Sequence, residues 1–389
     1  APELGEIARH AWLDLAVAEF HQRGLRVLWK RGRGRFVWVV TNYAYIRRSR
    51  QGRRDKLGEL LRWLRDRRFL LVLDESSFIK NRTAAQTKAC QRLREQAARV
   101  VLLNGTPIAN SPLDLWAQFR LLDPATLPFR NFYHFRARYA VMGGWQGKVP
   151  ISWQNLDELQ RRLAPYVLRR EKRDCLDLPP KLYTTLEVPL APSSWKIYKD
   201  MRDEMVAWLD ETPVLAAQAI VKILRLAQIT SGFLGGLKAG EEDEEVALPP
   251  REIGREKLNA LIDWLNELFA TSNERDLRVL IWCRFRAELQ RAADHIDRLR
   301  GGGITEIIMG GQTVKRRAEV VRWFQGPPET SGQTTRVLVA QPQAGGFGLN
   351  LAACHRVVYL SNDFNLLTRL QSEDRVHRPG QEHNVTYLD

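Results

Sequence analysis

The sequence predicts an α/β protein of two lobes, each with a parallel sheet and helical insertions at the junction between them. Three observations lead there. Short apolar runs such as FLLVLD (69–74) and RVLIWC (278–283) have the length and composition of parallel strands buried on both faces. They alternate with helical stretches, the order that yields a parallel sheet covered by helices. The 389 residues also exceed what one core ordinarily organises, so two domains are expected.

Taken in order, Glu3 to Arg23 carries Leu13, Ala16, Val17 and Phe20 at helical spacing, which predicts a helix. LRVLWK and FVWVVTNY read as strands around the turn RGRGR, and a basic helix runs on to about Asp66. FLLVLD and VVLLNGTP (100–107) are the next two strands. Residues 112–168 are aromatic and helical without clear strands, as an insertion in a first lobe of residues 1–168 would be. LRREKRDCLDLPPK (168–181) is charged and ends in a double proline, which marks 169–182 as a hinge. Residues 183–255 begin with the strand-like TTLEVPL, are then mostly helical, and include the acidic loop EEDEEVALPP (241–250), an insertion of the second lobe. In the second lobe, 256–389, four further strands are expected at RVLIWC, ITEIIMG (304–310), RVLVAQ (336–341) and RVVYLS (356–361).

Net charge is +15, mostly arginine, concentrated at Arg31, Arg33, Arg35, Arg47, Arg48, Arg50, Arg53, Arg54 and Lys56. Such a balance suits a polyanion, whose binding would be salt-sensitive through counterion release, and it equally suits ordinary solvated arginine faces. A membrane surface fits less well, because the basic residues are not matched by one long amphipathic helix. No apolar stretch is long enough for a transmembrane helix, and no signal peptide is expected before the first element. Cys90, Cys175, Cys283 and Cys354 form no CxxC pair, which argues against a zinc site and for a reducing compartment.

Four clusters carry candidate chemistry. Asp74 and Glu75 sit where a strand ends, the side of an open α/β sheet where ligands bind. There one carboxylate can hold Mg²⁺ through water and the second can orient an attacking water, although DESS also suits a helix cap. After the next strand, Thr106 can cap a helix whose first position is Pro107, and a plain strand–turn–helix junction explains these residues equally well. Gly345, Gly346 and Gly348 permit close backbone approach to a ligand, or an ordinary turn, with Asn350 bonding locally or reaching across a cleft. Finally, QSEDRVHRPGQ (371–381) sets Arg375 and Arg378 three apart on one side of a predicted helix. Such a pair stabilises charge on a transferring phosphoryl group, or forms a solvated helix face.

A strand ending in DE, a strand ending in GTP, a glycine loop and Q-x3-R-x2-R, in that order, resemble the ATPase core of helicase superfamily two, more narrowly the Swi/Snf-type DNA translocases. The strings LVLDESSFIKN (71–81), LLNGTPIANSPLDLWAQFRLLDP (102–124), LRREKRDCLDLPPK, VLIWCRFRAEL (279–289), AGGFGLNLAACHRVVYLSNDFN (344–365) and QSEDRVHRPGQ carry the resemblance over essentially the whole chain. GTPIANSPLDLW and DRVHRPGQ belong to this family rather than to helicases at large. The resemblance implies two RecA-like lobes, ATP and Mg²⁺ as cofactors, and double-stranded DNA as a partner held by its backbone without sequence preference. Asp74 would coordinate Mg²⁺ and Glu75 would activate water, while Arg375 and Arg378 would be finger arginines acting on the γ-phosphate. Gly105 and Thr106, and in the second lobe Gly345, Gly346 and Gln371, would couple nucleotide to DNA. Thr41, Asn42 and Tyr43 match the segment that touches the DNA backbone, beside the basic cluster Arg47, Arg48, Arg53 and Arg54.

The sequence departs from the family pattern in three respects. No GxxxxGK[ST] occurs, so the phosphate cradle and its lysine are missing, and the first strand and this loop are expected upstream of Ala1. The final helical brace is likewise expected beyond Asp389. Ser76–Ser77 replace Ala-His, as in phage-borne and bacterial members, and Phe364–Asn365 replace Trp-Asn. The expectation is a monomeric, cytoplasmic, DNA-dependent ATPase in a bacterial or phage-infected cell, active as the intact protein and inactive as this chain alone. A strand-separating DNA or RNA helicase of the same superfamily and a non-hydrolysing nucleic-acid-binding fragment are the alternatives.

Overall fold

The computed structural model describes residues 15–21, 24–30, 36–47, 55–108, 111–143, 147, 149–211, 216–235, 238–239, 246–247, 250–299, 301–327, 334–345 and 349–389. The chain divides into two compact units, Ala1–Arg169 and Arg170–Asp389.

In the first unit, β1 (Leu15–His21) pairs antiparallel with β2 (Gly24–Lys30) and parallel with β3 (Phe36–Val40). The helix expected over Glu3–Arg23 is therefore a strand in its described part. Short apolar stretches satisfy helical and alternating periods alike, and here a ladder on each side of β1 decides the conformation. β4 (Leu70–Leu73) and β5 (Arg99–Leu102) run parallel, with Leu73 against Leu102. The amphipathic helix Lys56–Leu64 turns Leu57, Leu60, Leu61 and Leu64 inward, where they meet Ile79, Cys90, Leu93 and Leu121. Each fully buried leucine of this kind contributes about 1.5–3 kcal/mol. Burial of β4 on both faces is not what the structure shows: Leu70 is 54% exposed, because among the described residues β4 has one strand neighbour.

Residues 112–168 hold their own aromatic core. Trp116, Phe119, Phe135 and Tyr139 pack with Leu127, Leu159 and Leu163. The segment is not strand-free as expected: β6 (Ala140–Gly143) and β7 (Val149–Trp153) form an antiparallel hairpin. Its signal was the alternation of Val149, Ile151 and Trp153 after a glycine-containing turn.

The second unit holds β8 (Lys181–Thr184), the minor strands β9 (Phe233–Leu234), β10 (Lys238–Ala239), β11 (Val246–Ala247) and β12 (Arg251–Glu252), and then β13 (Asp276–Trp282), β14 (Thr305–Ile308), β15 (Thr334–Ala340), β16 (Arg356–Tyr359) and β17 (Val385–Leu388). Six of them make one sheet in the order β14-β15-β13-β16-β17-β8, parallel throughout. Alternate residues of β13 feed opposite faces. Leu277, Val279 and Ile281 pack under helices Glu256–Thr271 and Arg286–Leu299, whereas Leu280 and Trp282 pack with Val320 and Phe324 of helix Val314–Gln325. This two-sided cover explains why all four predicted runs, β13 to β16, form strands. The strand expected within TTLEVPL falls earlier, at Lys181–Thr184, so the double-proline segment leads into the sheet itself. No helix among the described residues is long and apolar enough to cross a membrane.

Candidate functional site

In the first unit the acidic motif follows β4 directly. Asp74 is exposed and Glu75 half-buried, and the Glu75 amide donates to Asp74 Oδ1 at 2.9 Å. Glu75 adopts the left-handed region, φ 48° and ψ 54°, which a residue with a Cβ rarely occupies. That backbone turn starts the 3-10 helix Ser76–Ile79 and drives Ser76 and Ser77 inward. DESS thus opens a short helix without any side-chain cap from Glu75.

Ser76 replaces the expected alanine and has a structural task. Its amide donates to Leu103 O at 3.0 Å, and its hydroxyl donates to Gln118 Oε1 at 2.8 Å and accepts from Asn104 Nδ2 at 3.2 Å. Gln118, 2% exposed, donates in turn to Pro107 O at 2.7 Å and Asp114 O at 3.0 Å. The acidic motif and the GTP motif are therefore joined by a buried chain of polar side chains. Among the described residues no helix starts at Pro107: Asn104 Oδ1 accepts from the Thr106 amide at 2.8 Å, and the next described helical turn begins at Pro112. An asparagine side chain reaching its second neighbour offers the backbone a turn that competes with helix. A Cβ on Gly105 would meet nothing within 4 Å, so packing does not require glycine there. The signal for Gln118 was present in LWAQFRLL, where one neutral polar residue interrupts a buried run.

Tyr43 lies beside this motif. Its hydroxyl donates to the Asp74 carbonyl at 2.7 Å, and its ring sits 5.8 Å from that of Phe78. Burial raises the phenol's pKa well above its ordinary value, with the Cys90 thiol, Asp74 and Glu75 adding to it. Asn42 caps the helix Tyr43–Ile46 by accepting from the Tyr45 amide at 3.0 Å, and Arg47 closes it, exposed. The Thr41 hydroxyl is buried and has no hydrogen-bond partner among the described residues. Arg48, Arg53, Arg54 and Gly346 lie outside the described residues.

In the second unit the helix Leu366–Glu373 carries Gln371 and stops before Arg375 and Arg378, which occupy the turns that follow. The expectation of both arginines on one helix face is corrected here. Arg378 precedes Pro379, which disfavours helical backbone, and Gly380 takes φ 94°. Both arginines are half-buried against the segment after the glycine loop. Arg375 O accepts from the Leu351 amide at 2.9 Å, and Arg378 Nη1 donates to Leu349 O at 3.1 Å. Gln381 adds bonds to Ala352 O at 3.0 Å and Cys354 O at 2.8 Å. Gly345 ends a helical turn, Pro342–Gly345, and Asn350 bonds locally, its Oδ1 accepting from the Ala352 amide at 3.1 Å.

The arginine motif is also clasped by the stretch expected to be a hinge. Lys172 pairs with Asp374 at 2.6 Å and donates to His377 O at 3.1 Å. His377 Nε2 donates to Pro179 O at 2.8 Å, and Lys181 pairs with Glu373 at 2.8 Å. Glu373, 3% exposed, also accepts from Tyr183 at 2.9 Å and from Arg369 at 2.8 Å. Burial pushes this carboxyl's pKa up, but Lys181, Arg369 and Tyr183 outweigh it and hold the group below the usual glutamate value. Of the partners of Glu373, spacing could suggest only Arg369, four residues earlier, because Lys181 and Tyr183 are remote along the chain.

Residues 6–233 match the family model for the SNF2-related domain, and residues 256–380 match that for the helicase conserved C-terminal domain. The chain belongs to the SNF2-related family. An uncharacterized ATP-dependent helicase, MG018, of Mycoplasma genitalium is 27% identical over 84% of this chain and 28% of its own length. Human DNA excision repair protein ERCC-6 is 27% identical over 90% of this chain and 23% of its own length. This SNF2-related chain thus spans about a quarter of the length of these two curated relatives. Among solved structures, a Sulfolobus solfataricus SWI2/SNF2 ATPase core domain is similar at 24% identity and a TM-score of 0.40, covering 96% of this chain and 69% of that one.

Proposed function

We propose that the intact protein is a DNA-stimulated ATPase that moves along duplex DNA without separating its strands. The observation that carries this reading is the 2.7 Å bond from the Tyr43 hydroxyl to the Asp74 carbonyl. It ties the segment Thr41–Tyr43, assigned here to the DNA backbone, to the acidic pair, so that a shift in one is felt by the other. The two SNF2-related and helicase matches, and relatives named as helicases and as a DNA repair protein, support it.

The domain plan offered with it is a first lobe over 1–168 with an insertion at about 112–168, a hinge at 169–182, an insertion at 183–255 and a second lobe at 256–389. Asp74, exposed at the carboxyl end of β4, has the hard oxygen donors that suit Mg²⁺ through water. ATP fits in part, since the acidic pair suits its metal but no GxxxxGK[ST] is present to cradle its phosphates. Bound Mg²⁺ supplies neutralisation of phosphate charge. Glu75 orients and deprotonates the attacking water, while Arg375 and Arg378 stabilise charge on the transferring phosphoryl group. Gly105, Thr106, Gly345, Gly346 and Gln371 relay nucleotide state. Contacts confined to the DNA backbone carry no sequence preference, and the motor works as a monomer.

The test is ATP turnover of the intact protein with and without duplex DNA, for wild type and Tyr43→Phe. Wild type is expected to be stimulated by DNA, and the variant to keep its basal turnover and DNA affinity while losing most of the stimulation. Turnover indifferent to DNA in wild type would sink the proposal, and release of a strand from a forked duplex would redirect it to a helicase. The missing phosphate cradle favours a second reading for these 389 residues by themselves, nucleic-acid binding without hydrolysis. Any ATP turnover by that isolated polypeptide overturns it.

A further inference from the structure

Arg82 and Arg136 converge on one tyrosine. The Arg82 guanidinium lies 4.8 Å from the ring centroid of Phe132 and 5.4 Å from that of Tyr133, and the Arg136 guanidinium lies 5.2 Å from Tyr133. Arg82 Nη2 also reaches the Tyr133 hydroxyl at 3.4 Å. Both supports are held by local hydrogen bonds. The Asn81 side chain turns the backbone beneath Arg82 by accepting from the Thr83 amide at 3.0 Å and the Thr83 hydroxyl at 2.8 Å. Asn131 caps the helix Phe132–Tyr139 through the Tyr133 and His134 amides at 2.9 and 3.1 Å, and the fully buried Phe135 and Tyr139 anchor its inner face.

Spacing of three and four along this helix brings Phe132, Tyr133 and Arg136 to one face, with Tyr133 55% exposed. Neither guanidinium has a carboxylate partner among the described residues. The neighbourhood offers few, since no Asp or Glu occurs between Glu75 and Glu95 or between Asp123 and Asp157. Arg138, on the same helix, is by contrast neutralised by Glu158. Planar guanidinium groups held against aromatic rings, with their charge uncompensated, match the phosphodiester oxygens of nucleic acid better than lysines on free stems would.

We infer that Arg82, Tyr133 and Arg136 form a second nucleic-acid contact where the loop at Arg82 meets the 112–168 insertion, in which the two guanidiniums grip the phosphodiester backbone and Tyr133 holds them in position. It lies apart in sequence from the basic cluster at Arg47–Arg54, and it rests on the reading of the intact protein as a DNA-bound motor. The test is binding of a mixed-sequence DNA duplex to the intact protein across a salt series, for wild type and R82Q/R136Q. Each neutralised phosphate contributes about 0.9 to the slope of log affinity against log salt, so the slope of the double variant is expected to be shallower by about 2. Its melting temperature and basal ATP turnover are expected to stay at wild-type values. R82K/R136K keeps the charges and is expected to recover most of the slope. Should the double variant not fold, R82Q and R136Q are read singly, each expected to lower the slope by about 1. An unchanged slope in a folded variant overturns this contact and leaves the motor reading standing, whereas a wild type that does not bind DNA overturns both.

Discussion

Glu75 combines a half-buried carboxylate with a left-handed backbone, one of two non-glycine residues at positive φ among those described. Such a conformation costs about 1–3 kcal/mol and persists where its surroundings enforce it, here through the Ser76 amide bonded to Leu103 O and the Ser76–Gln118 bond. Two substitutions separate backbone from chemistry. Glu75→Gly is expected to stabilise the first unit by about 1 kcal/mol while abolishing ATP turnover in the intact protein, read by chemical denaturation and a phosphate-release assay. Glu75→Gln is expected to lower turnover by about 10²–10⁴ with nucleotide affinity retained. Equal loss of binding and turnover in the glutamine variant would make Glu75 a structural residue. The carboxylates themselves were legible from their position at a strand end. Their restraints were not, because Tyr43, Asn104 and Gln118 lie far from Asp74 and Glu75 in sequence and only the fold brings them together.

At the level of elements, the helix Leu366–Glu373 is fixed to β8 and β17 through Glu373, whose charge is matched by Lys181 and Arg369. Removing one partner of a buried pair leaves the others uncompensated, so Glu373→Ala is expected to cost the second unit about 3 kcal/mol at neutral pH. The sign with pH follows from the lowered pKa. A carboxylate held below its free value of 4.5 stabilises the folded state above that pH, and the contribution fades as pH falls through the folded value. Melting temperatures of wild type and variant are therefore expected to converge in acid, and a gap that stays constant down to full protonation would rule out the ionic account. Glu288 runs the other way, since burial raises its pKa and favours the neutral form, so its contribution is present in acid and lost as pH rises. Strands β13 to β16 were readable because a sheet covered on both faces imposes continuous apolar runs. β1 was misread because its apolar residues fit two periods, and β17 was missed because VTYL is too short to stand out. Helix ends also misled at Arg375, where Pro379 and Gly380 already marked a turn.

The whole molecule carries +15, and on the proposed reading as a DNA-bound motor the cationic side chains that meet phosphates set the salt dependence of binding. Replacing Arg47, Arg48, Arg53 and Arg54 together by alanine is expected to weaken duplex binding alike across sequences and to reduce the salt slope by up to about 4, one for each phosphate left without its guanidinium. Fluorescence anisotropy over a salt series measures it, and a slope that does not move would reduce the cluster to a solvated face. The role of the charged, double-proline stretch as a clasp on the arginine motif was not legible, since a salt bridge such as Lys181–Glu373 leaves no periodic trace.

The ladder between β8 and β17 has a bearing on biosynthesis. A ribosome releases Lys181–Thr184 long before Val385–Leu388, the strand whose backbone groups it bonds. Until then a strand edge stays open in the nascent polypeptide while the other sheet strands accumulate behind it, an invitation to mispairing with a neighbouring chain. Pairing of β8 with this sheet thus waits until Val385–Leu388 has been made.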